Sequence, residues 1–241
     1  MLTTIGVELA KLKRSLALLL CIAAPVFVAL LALLIGLDGN KPRPWTLFIA
    51  GGSAMWAYFM LPMTVTALTV LIAQVEHAPK AWNAVLALPV PRWRIFAAKA
   101  LVVIALVAGM SVAVLLLLFL AGAVVEAIKP GETLLGSPEP WAAARLLAMM
   151  FAGSLMLIAV QLWTALRFRS FVPPLVLGIG GTFVAVAATA SKQGAWFPWL
   201  IPVNALAADH GRSETAISFG FWGGLVVLGA MLLHMSRYEA P

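Results

Sequence analysis

Ionisable side chains inside apolar segments are the first place to look for chemistry in this sequence. A charge held away from water in a bilayer is costly and usually marks a functional site. The candidates are Glu126, Arg145 and His234, and each falls near the end of an apolar run, where its side chain can reach water. We therefore expect these three side chains to lie at the interface between membrane and water. Glu126 meeting Arg145 would be the one pair available to a membrane-embedded enzyme, although an outer-leaflet salt bridge explains it more simply.

Metal and nucleotide motifs are the second possibility, and the sequence offers neither. Three histidines are far apart, without an HExxH motif or paired carboxylates: His77, His210 and His234. The glycine-rich stretches lie in apolar runs and lack the GxxxxGK[ST] phosphate loop, while Gly220 and Gly224 have the GxxxG spacing that lets membrane helices approach closely. The sequence predicts no catalytic, metal or cofactor site. If the protein moves a substrate against its gradient, a partner protein would have to supply the energy.

The amino-acid composition differs from that of a soluble domain. Of 241 residues, 63% are hydrophobic and 10% charged, against roughly 45–50% and about 25% in soluble domains. The net charge of +7 comes from basic residues at the ends of apolar runs, a pattern that does not favour nucleic-acid binding. Cys21 is the single cysteine, which excludes an internal disulfide framework.

Six runs approach the roughly 20 apolar residues that a membrane helix needs. They are 15–37, 46–73, 100–125, 142–166, 171–191 and 216–233. The first run is longer than the roughly 7–15 residues of a signal-peptide core, so we expect it to be a retained span. The sequence predicts an all-α polytopic membrane protein, with residues 1–241 forming one transmembrane domain. Six spans place both termini on the same side of the membrane. If that side is the cytoplasm, most of the 16 Lys and Arg residues lie in cytoplasmic segments, so we expect both termini in the cytoplasm.

The first 14 residues have the pattern of a short helix. Leu2, Ile5, Leu9 and Leu12 share one face, with Lys11 opposite. This favours an interfacial helix, and a simple charged anchor for the first span remains an equal alternative. The polar residues of the predicted interfacial helix are Glu8, Lys11, Lys13 and Arg14.

The connection at 74–99 is too apolar for a simple loop. An apolar face containing Trp82 can lie opposite His77, and the helix should end at Pro89. Such an element could dock into a partner's groove. Alternatively it lies flat on the membrane, with Arg92, Arg94 and Lys99 on anionic lipid.

The stretch at 192–215 is also too apolar for a free external loop. Its tryptophans favour the headgroup region, and it is too short to span. We expect a re-entrant hairpin shielded by protein. The residues assigned to it are Trp196, Pro198, Trp199 and Pro202.

Three pieces of sequence resemble the permease subunits of the ABC-2 transporter family, especially those of lantibiotic-immunity and peptide-antibiotic exporters. They are ELAKLKRS at 8–15, EHAPKAWNAVLALPVPRWRIFAAK at 76–99 and WFPWLIP at 196–202. The middle piece is the most specific: an acidic residue, a short helix at 81–88, a Leu-Pro turn and then Lys99. Pro79 departs from the glycine-containing turn more usual there.

The resemblance implies roles for these pieces. The middle one would be a coupling helix that contacts a cytoplasmic ATPase through Glu76, Lys80, Trp82, Val85, Leu86, Pro89 and Arg92. The first would be the interfacial connecting helix and the third the extracellular re-entrant pair. The chain would work in the bacterial inner membrane beside a second permease, identical or related, with ATP and Mg on the ATPase. The substrate stays open between a peptide, a lipid and an amphipathic compound, and a membrane-embedded enzyme or an accessory or sensor protein are the alternatives.

Overall fold

The computed structural model describes residues 1–13, 15–39, 41–77, 82, 89–131, 133–189 and 191–237. Its α-helices are α1 (Leu2–Leu12), α2 (Leu16–Asp38), α3 (Trp45–Met55), α4 (Leu61–His77), α5 (Arg92–Ile128), α6 (Pro140–Arg167), α7 (Val172–Ala187) and α8 (His210–Arg237). A π-helical turn, Trp56–Met60, joins α3 to α4, and 3₁₀ helices cover Lys192–Trp196 and Ile201–Leu206. Two short parallel strands, β1 (Arg43–Pro44) and β2 (Leu134–Leu135), complete these elements.

Five helical stretches are long and apolar enough to cross a membrane. They are α2, the continuous stretch from α3 through α4, α5, α6 and α8. The predicted all-α, polytopic membrane architecture is therefore confirmed. Helix α7 has 16 residues, which makes it about 24 Å long, shorter than the roughly 30 Å hydrocarbon core. The predicted run at 171–191 is thus only partly a regular helix.

Helix α5 corrects the predicted boundary at residue 100. It begins at Arg92, directly after Pro91, and runs for 37 residues. Proline fixes the backbone just before the first helical turn, and the segment that follows buries Ile95, Phe96 and Lys99. Residues 92–99 are therefore part of the long helix and not of a surface connection.

Contacts along the helices establish their directions. Gly36 near the end of α2 packs on Val125 near the end of α5, so these helices run in the same direction. Gly220 lies against Gly153, and further along the same pair Trp163 Nε1 donates to His234 Nδ1 at 3.2 Å. Helices α6 and α8 are therefore also parallel. We call the end with α1 the α1 end and the end with the two strands the β end.

Small residues allow α6 and α8 to touch at their backbones. A Cβ on Gly224 would lie 2.7 Å from the backbone nitrogen of Met156, and one on Gly220 would strike the carbonyl oxygen of Gly153. The close approach predicted for the GxxxG pair is thereby confirmed. Gly178 of α7 instead makes room for two side chains, those of Gln161 in α6 and Thr66 in α4.

Candidate functional site

Four charged side chains meet at the α1 end, and we call them the charge network: Glu8, Lys11, Glu76 and Lys99. Lys99 Nζ lies 2.7 Å from Glu8 Oε2 and 2.7 Å from Glu76 Oε1. Lys11 Nζ lies 2.7 Å from Glu8 Oε1 and 2.8 Å from Glu76 Oε1. Each lysine therefore bridges both acids, and the network joins α1 to the end of α4 and the first turns of α5.

The network is largely withdrawn from solvent. The exposed fraction is 0% for the Lys99 side chain, 2% for Glu76 and 7% for Glu8, and only Lys11 reaches 28%. Buried charges are costly to desolvate, and removing one partner leaves its counterpart uncompensated. Two cations balance two anions here, so the arrangement is stable only while all three helices stay in register.

Helical spacing explains how these side chains converge. Glu8 and Lys11 are three residues apart in α1, which makes them neighbours on one face. Lys99 lies two turns after Arg92, the first residue of α5. Glu76 is the penultimate residue of α4. The two helices that flank residues 78–91 therefore each contribute one charge, and α1 closes the cluster with two more.

Hydrogen bonds to both acids hold the amine of Lys11 in its charged form. Burial acts to lower the pKa of Lys11, but hydrogen bonds from its amine to Glu76 and Glu8 outweigh this and raise the pKa above its usual value. Lys11 therefore stays protonated through the physiological range. Among the described residues, Glu76 Oε2 has no hydrogen-bond partner although it is buried.

Trp82 is the one residue described between 78 and 88, and it is fixed against the network. Its Nε1 donates to His77 Nδ1 at 2.9 Å, and its ring stacks on Phe96 with centroids 5.7 Å apart. Lys99 Nζ lies 6.0 Å from the centre of the same ring, within reach of a cation–π attraction. Since His77 accepts through Nδ1, its Nε2 carries the proton that reaches the Ala165 carbonyl oxygen at 3.2 Å.

The predicted coupling residues fall into three groups. Glu76 and Trp82 belong to the site, whereas Pro89 is exposed and Arg92 is half-buried at the start of α5. Lys80, Val85 and Leu86 lie outside the described residues, as does Arg14 of the predicted interfacial helix.

Two predictions about faces and partners are wrong. Trp82 does not lie opposite His77 but hydrogen bonds to it. Lys99 is fully buried and cannot lie on anionic lipid. Lys13 is exposed, as a polar residue of an interfacial helix should be.

The predicted re-entrant residues lie towards the β end. Trp199 and Pro202 are buried, Pro198 is half-buried and Trp196 is 52% exposed. The ring of Trp199 lies over Gly181 of α7, so neighbouring protein covers this tryptophan.

The alternative enzyme site at Glu126 and Arg145 is not formed. Both residues are exposed, and no ion pair joins them. Within the described part of the chain, no group of three or more His, Cys, Asp or Glu residues is placed to hold a metal ion.

Comparison with protein families identifies the family of this chain. A family model described as "ABC-2 family transporter protein" matches residues 4–185. The matched range contains the whole charge network and Trp82, and it ends within α7, before the 3₁₀ helices and α8. No curated protein and no solved structure matches the chain.

Proposed function

The chain belongs to the ABC-2 transporter family, a family of membrane components and not of catalytic enzymes, and on this premise we propose that it is the permease subunit of an ATP-driven exporter. A separate cytoplasmic ABC ATPase would supply the energy and hold ATP and Mg. The substrate would be a peptide, a lipid or an amphipathic compound. The observation that carries this proposal is the charge network around the connection between α4 and α5.

The network gives that connection two fixed ends. Glu76 holds it at the end of α4, and Lys99 holds it eight residues beyond Pro91 in α5, with direct contact between the two side chains. Trp82 adds an attachment inside the connection. A push on residues 78–88 by a closing ATPase would therefore reach α4, α5 and α1 together, because buried ion pairs resist being pulled apart.

We propose six membrane crossings with the α1 end in the cytoplasm. The parallel directions of α6 and α8 support this, since the chain must return across the membrane between Arg167 and His210. Helix α7, extended by the residues after it, is the described helix available for that return. The excess of Lys and Arg at the α1 end agrees with the positive-inside rule.

We further propose that residues 192–206 form a re-entrant segment at the outer face. Ile201 is fully buried and lies against Gly153 of α6 and Gly220 of α8. Gly220 is ten residues into α8, or about 15 Å along its axis. Irregular backbone at such a depth requires shielding by protein, and the flanking helices provide it.

A second permease, identical or related, would complete the transporter in the bacterial inner membrane. Helix α7 supports this because its buried stripe is limited to Pro174, Gly178, Thr182 and Ala185. Large apolar side chains cover its other face, Phe183 being 61% exposed and Val176 65%. Lipid or a second permease would cover that face.

Co-purification with the cytoplasmic partner tests the proposal. We would tag the chain in its native host, extract it gently and quantify co-purifying proteins by mass spectrometry. We expect a stoichiometric ATPase with the wild type, a strong reduction with Trp82→Ala, and no change with Trp141→Ala, which alters a tryptophan that is 83% exposed beyond the β end. Undiminished ATPase recovery with Trp82→Ala would contradict the coupling role.

The same preparation separates an exporter from an accessory protein. Reconstituted with its ATPase in vesicles, an exporter should move substrate only when ATP is hydrolysed. A preparation that retains no ATPase in several mild detergents would instead favour the accessory or sensor alternative.

A further inference from the structure

A second polar site lies at the β end, away from the charge network. An open pocket of about 330 Å³ is lined by the π-helical turn, the end of α7, the residues after the second 3₁₀ helix and the start of α8. Its polar lining residues are Tyr58, Thr189, Asn204, Asp209 and Arg212. Nothing in the coupling mechanism uses this pocket.

Two hydrogen bonds hold the guanidinium of Arg212 in one orientation in this pocket. Arg212 Nε donates to Asn204 Oδ1 at 2.8 Å and its Nη2 donates to the Ser191 carbonyl oxygen at 3.1 Å. Asn204, only 4% exposed, is itself fixed by a bond from Nδ2 to the Leu200 carbonyl oxygen at 2.9 Å. Nη1 of Arg212 makes no hydrogen bond to a described residue. A guanidinium supported in this way is preorganised to bind a phosphate or a carboxylate.

The carboxylate of Asp209 also lines the pocket, but it does not pair with the Arg212 guanidinium. Asp209 Oδ1 caps α8 by accepting from the backbone nitrogen of Gly211 at 2.9 Å and that of Arg212 at 3.4 Å. Among the described residues, no ion pair joins the Asp209 carboxylate to the Arg212 guanidinium, and Oδ2 has no donor. The pocket therefore presents a positive and a negative group that are separately oriented.

The depth of the pocket identifies the environment of a ligand. Arg212 is 22 residues before His234 at the other end of α8, or about 33 Å along the helix, which is close to the thickness of the hydrocarbon core. Leu200, Val203 and Leu206 line the same pocket. The polar groups thus lie at the membrane boundary beside apolar walls. Tyr58 is presented by a π-helical turn, a distortion frequent at functional sites.

We propose that this pocket binds the head group of a zwitterionic amphiphile, with its phosphate on Arg212 and its primary ammonium on Asp209. Tyr58, which lines the same pocket, would donate its hydroxyl to the phosphate, and the apolar walls would cover the adjoining part of the ligand's hydrocarbon chain. The charge balance distinguishes this ligand from a purely anionic lipid, which Asp209 would repel. The site does not depend on the ATPase partner, so its occupancy is measurable without nucleotide.

Binding to the purified full-length chain tests the proposal. We would titrate dihexanoyl phosphatidylethanolamine into the protein below the lipid's critical micelle concentration and follow heat and thermal stability. Dihexanoyl phosphatidylglycerol lacks the ammonium, and dihexanoyl phosphatidylcholine has one that cannot donate a hydrogen bond. We expect both to bind about tenfold more weakly or worse. Free phosphoethanolamine competes if the head group alone suffices, and only the lipid binds if the apolar walls are needed. Either result supports the head-group chemistry and identifies its source.

Matched substitutions locate the binding. Asp209→Asn preserves the helix cap, because asparagine caps equally well, and removes only the negative charge. Arg212→Gln removes the cation, and Arg145→Gln changes an exposed arginine of α6 that does not line the pocket. We expect the first two to weaken phosphatidylethanolamine binding about tenfold or more, and the third to leave it unchanged. Equal binding of the three lipids, or full affinity in a folded Asp209→Asn protein, would overturn the proposal.

Discussion

The two ends of the helical bundle are held together by different physics. At the α1 end, two buried glutamates, the buried Lys99 and the partly exposed Lys11 bridge α1, α4 and α5. At the β end, cations bind carbonyl oxygens instead: Arg43 Nη2 reaches the Ile35 oxygen at 2.7 Å and Lys129 Nζ the Leu37 oxygen at 2.6 Å. Trp45 packs over Gly122 beside them. One end depends on mutual charge compensation and the other on packing and on single hydrogen bonds.

This difference bears on what each end can transmit. A buried charge network is sensitive to displacement, because every partner is needed to offset the desolvation of the others. A hydrogen bond to a carbonyl near a helix end contributes little and is replaceable by water. The α1 end should therefore lose more stability than the β end when its helices are displaced, as the proposed coupling role requires.

Removing the central cation should have the largest effect. Lys99→Met leaves two buried carboxylates with one partly exposed lysine, and we expect a loss of about 3–5 kcal/mol. Lys129→Met, the same substitution at the β end, should cost about 1 kcal/mol. Thermal unfolding followed by fluorescence-detected size exclusion would compare the two. Similar melting temperatures for both variants would remove the distinction between the ends.

Adding a methyl group between α6 and α8 should have the second largest effect. Gly220→Ala directs a Cβ into the backbone of Gly153, and we expect overpacking to cost about 1–3 kcal/mol. Gly229→Ala is the matched control, because no atom lies within 4 Å of its added Cβ. The variant at residue 229 should melt at or above the wild-type temperature. A neutral Gly220→Ala would show that the helix pair separates easily.

Loss of the indole donor should have a smaller effect. Trp82→Phe retains an aromatic ring for stacking on Phe96 but removes the hydrogen bond to His77, and we expect a loss of about 1 kcal/mol. Trp141→Phe serves as control on an exposed tryptophan. ATPase recovery should fall less with Trp82→Phe than with Trp82→Ala. Equal recovery in both would mean that the hydrogen bond, and not the stacked ring, positions Trp82.

Alkaline pH should have the smallest effect. Although burial acts to lower it, the pKa of Lys11 in the folded protein is raised above its ordinary value of 10.5 by hydrogen bonds to Glu76 and Glu8. Its contribution to stability is therefore complete below 10.5 and is lost as the pH rises through the higher folded value. We expect less than about 1 kcal/mol, since the side chain is partly exposed. The drop in melting temperature between neutral and strongly alkaline pH should be smaller in Lys11→Met, whereas Lys41→Met should follow the wild type.

The sequence predicted the helices better than their contacts. Long apolar runs define α2, α6 and α8 because lipid requires an uninterrupted apolar surface, and the Gly220 contact follows from local spacing. The charge network could not be predicted from apolar runs or local spacing. Glu8 and Lys99 are 91 residues apart, and each of them alone resembles an ordinary interfacial charge.

Two further features also escaped the sequence patterns. The π-helical turn Trp56–Met60 has the same apolar composition as the α-helices beside it, so periodicity gives no warning. The pocket at Arg212 depends on Asn204 and Ser191, which the 3₁₀ helices bring near α8. For the charge network, the sequence offered one signal, namely the basic and acidic residues that flank the connection at 78–91.

The glycine contact between α6 and α8 also limits how a passage could open in this protein. Where backbone rests on backbone, sliding by one residue would drive a side chain into a carbonyl group. Rotation of α8 about its axis would likewise bring a side chain against the backbone of α6, because Gly220 and Gly224 both make close contacts one turn apart. We therefore expect the two helices to move together as one rigid unit, so that a passage in this protein would open beside the pair and not between its helices.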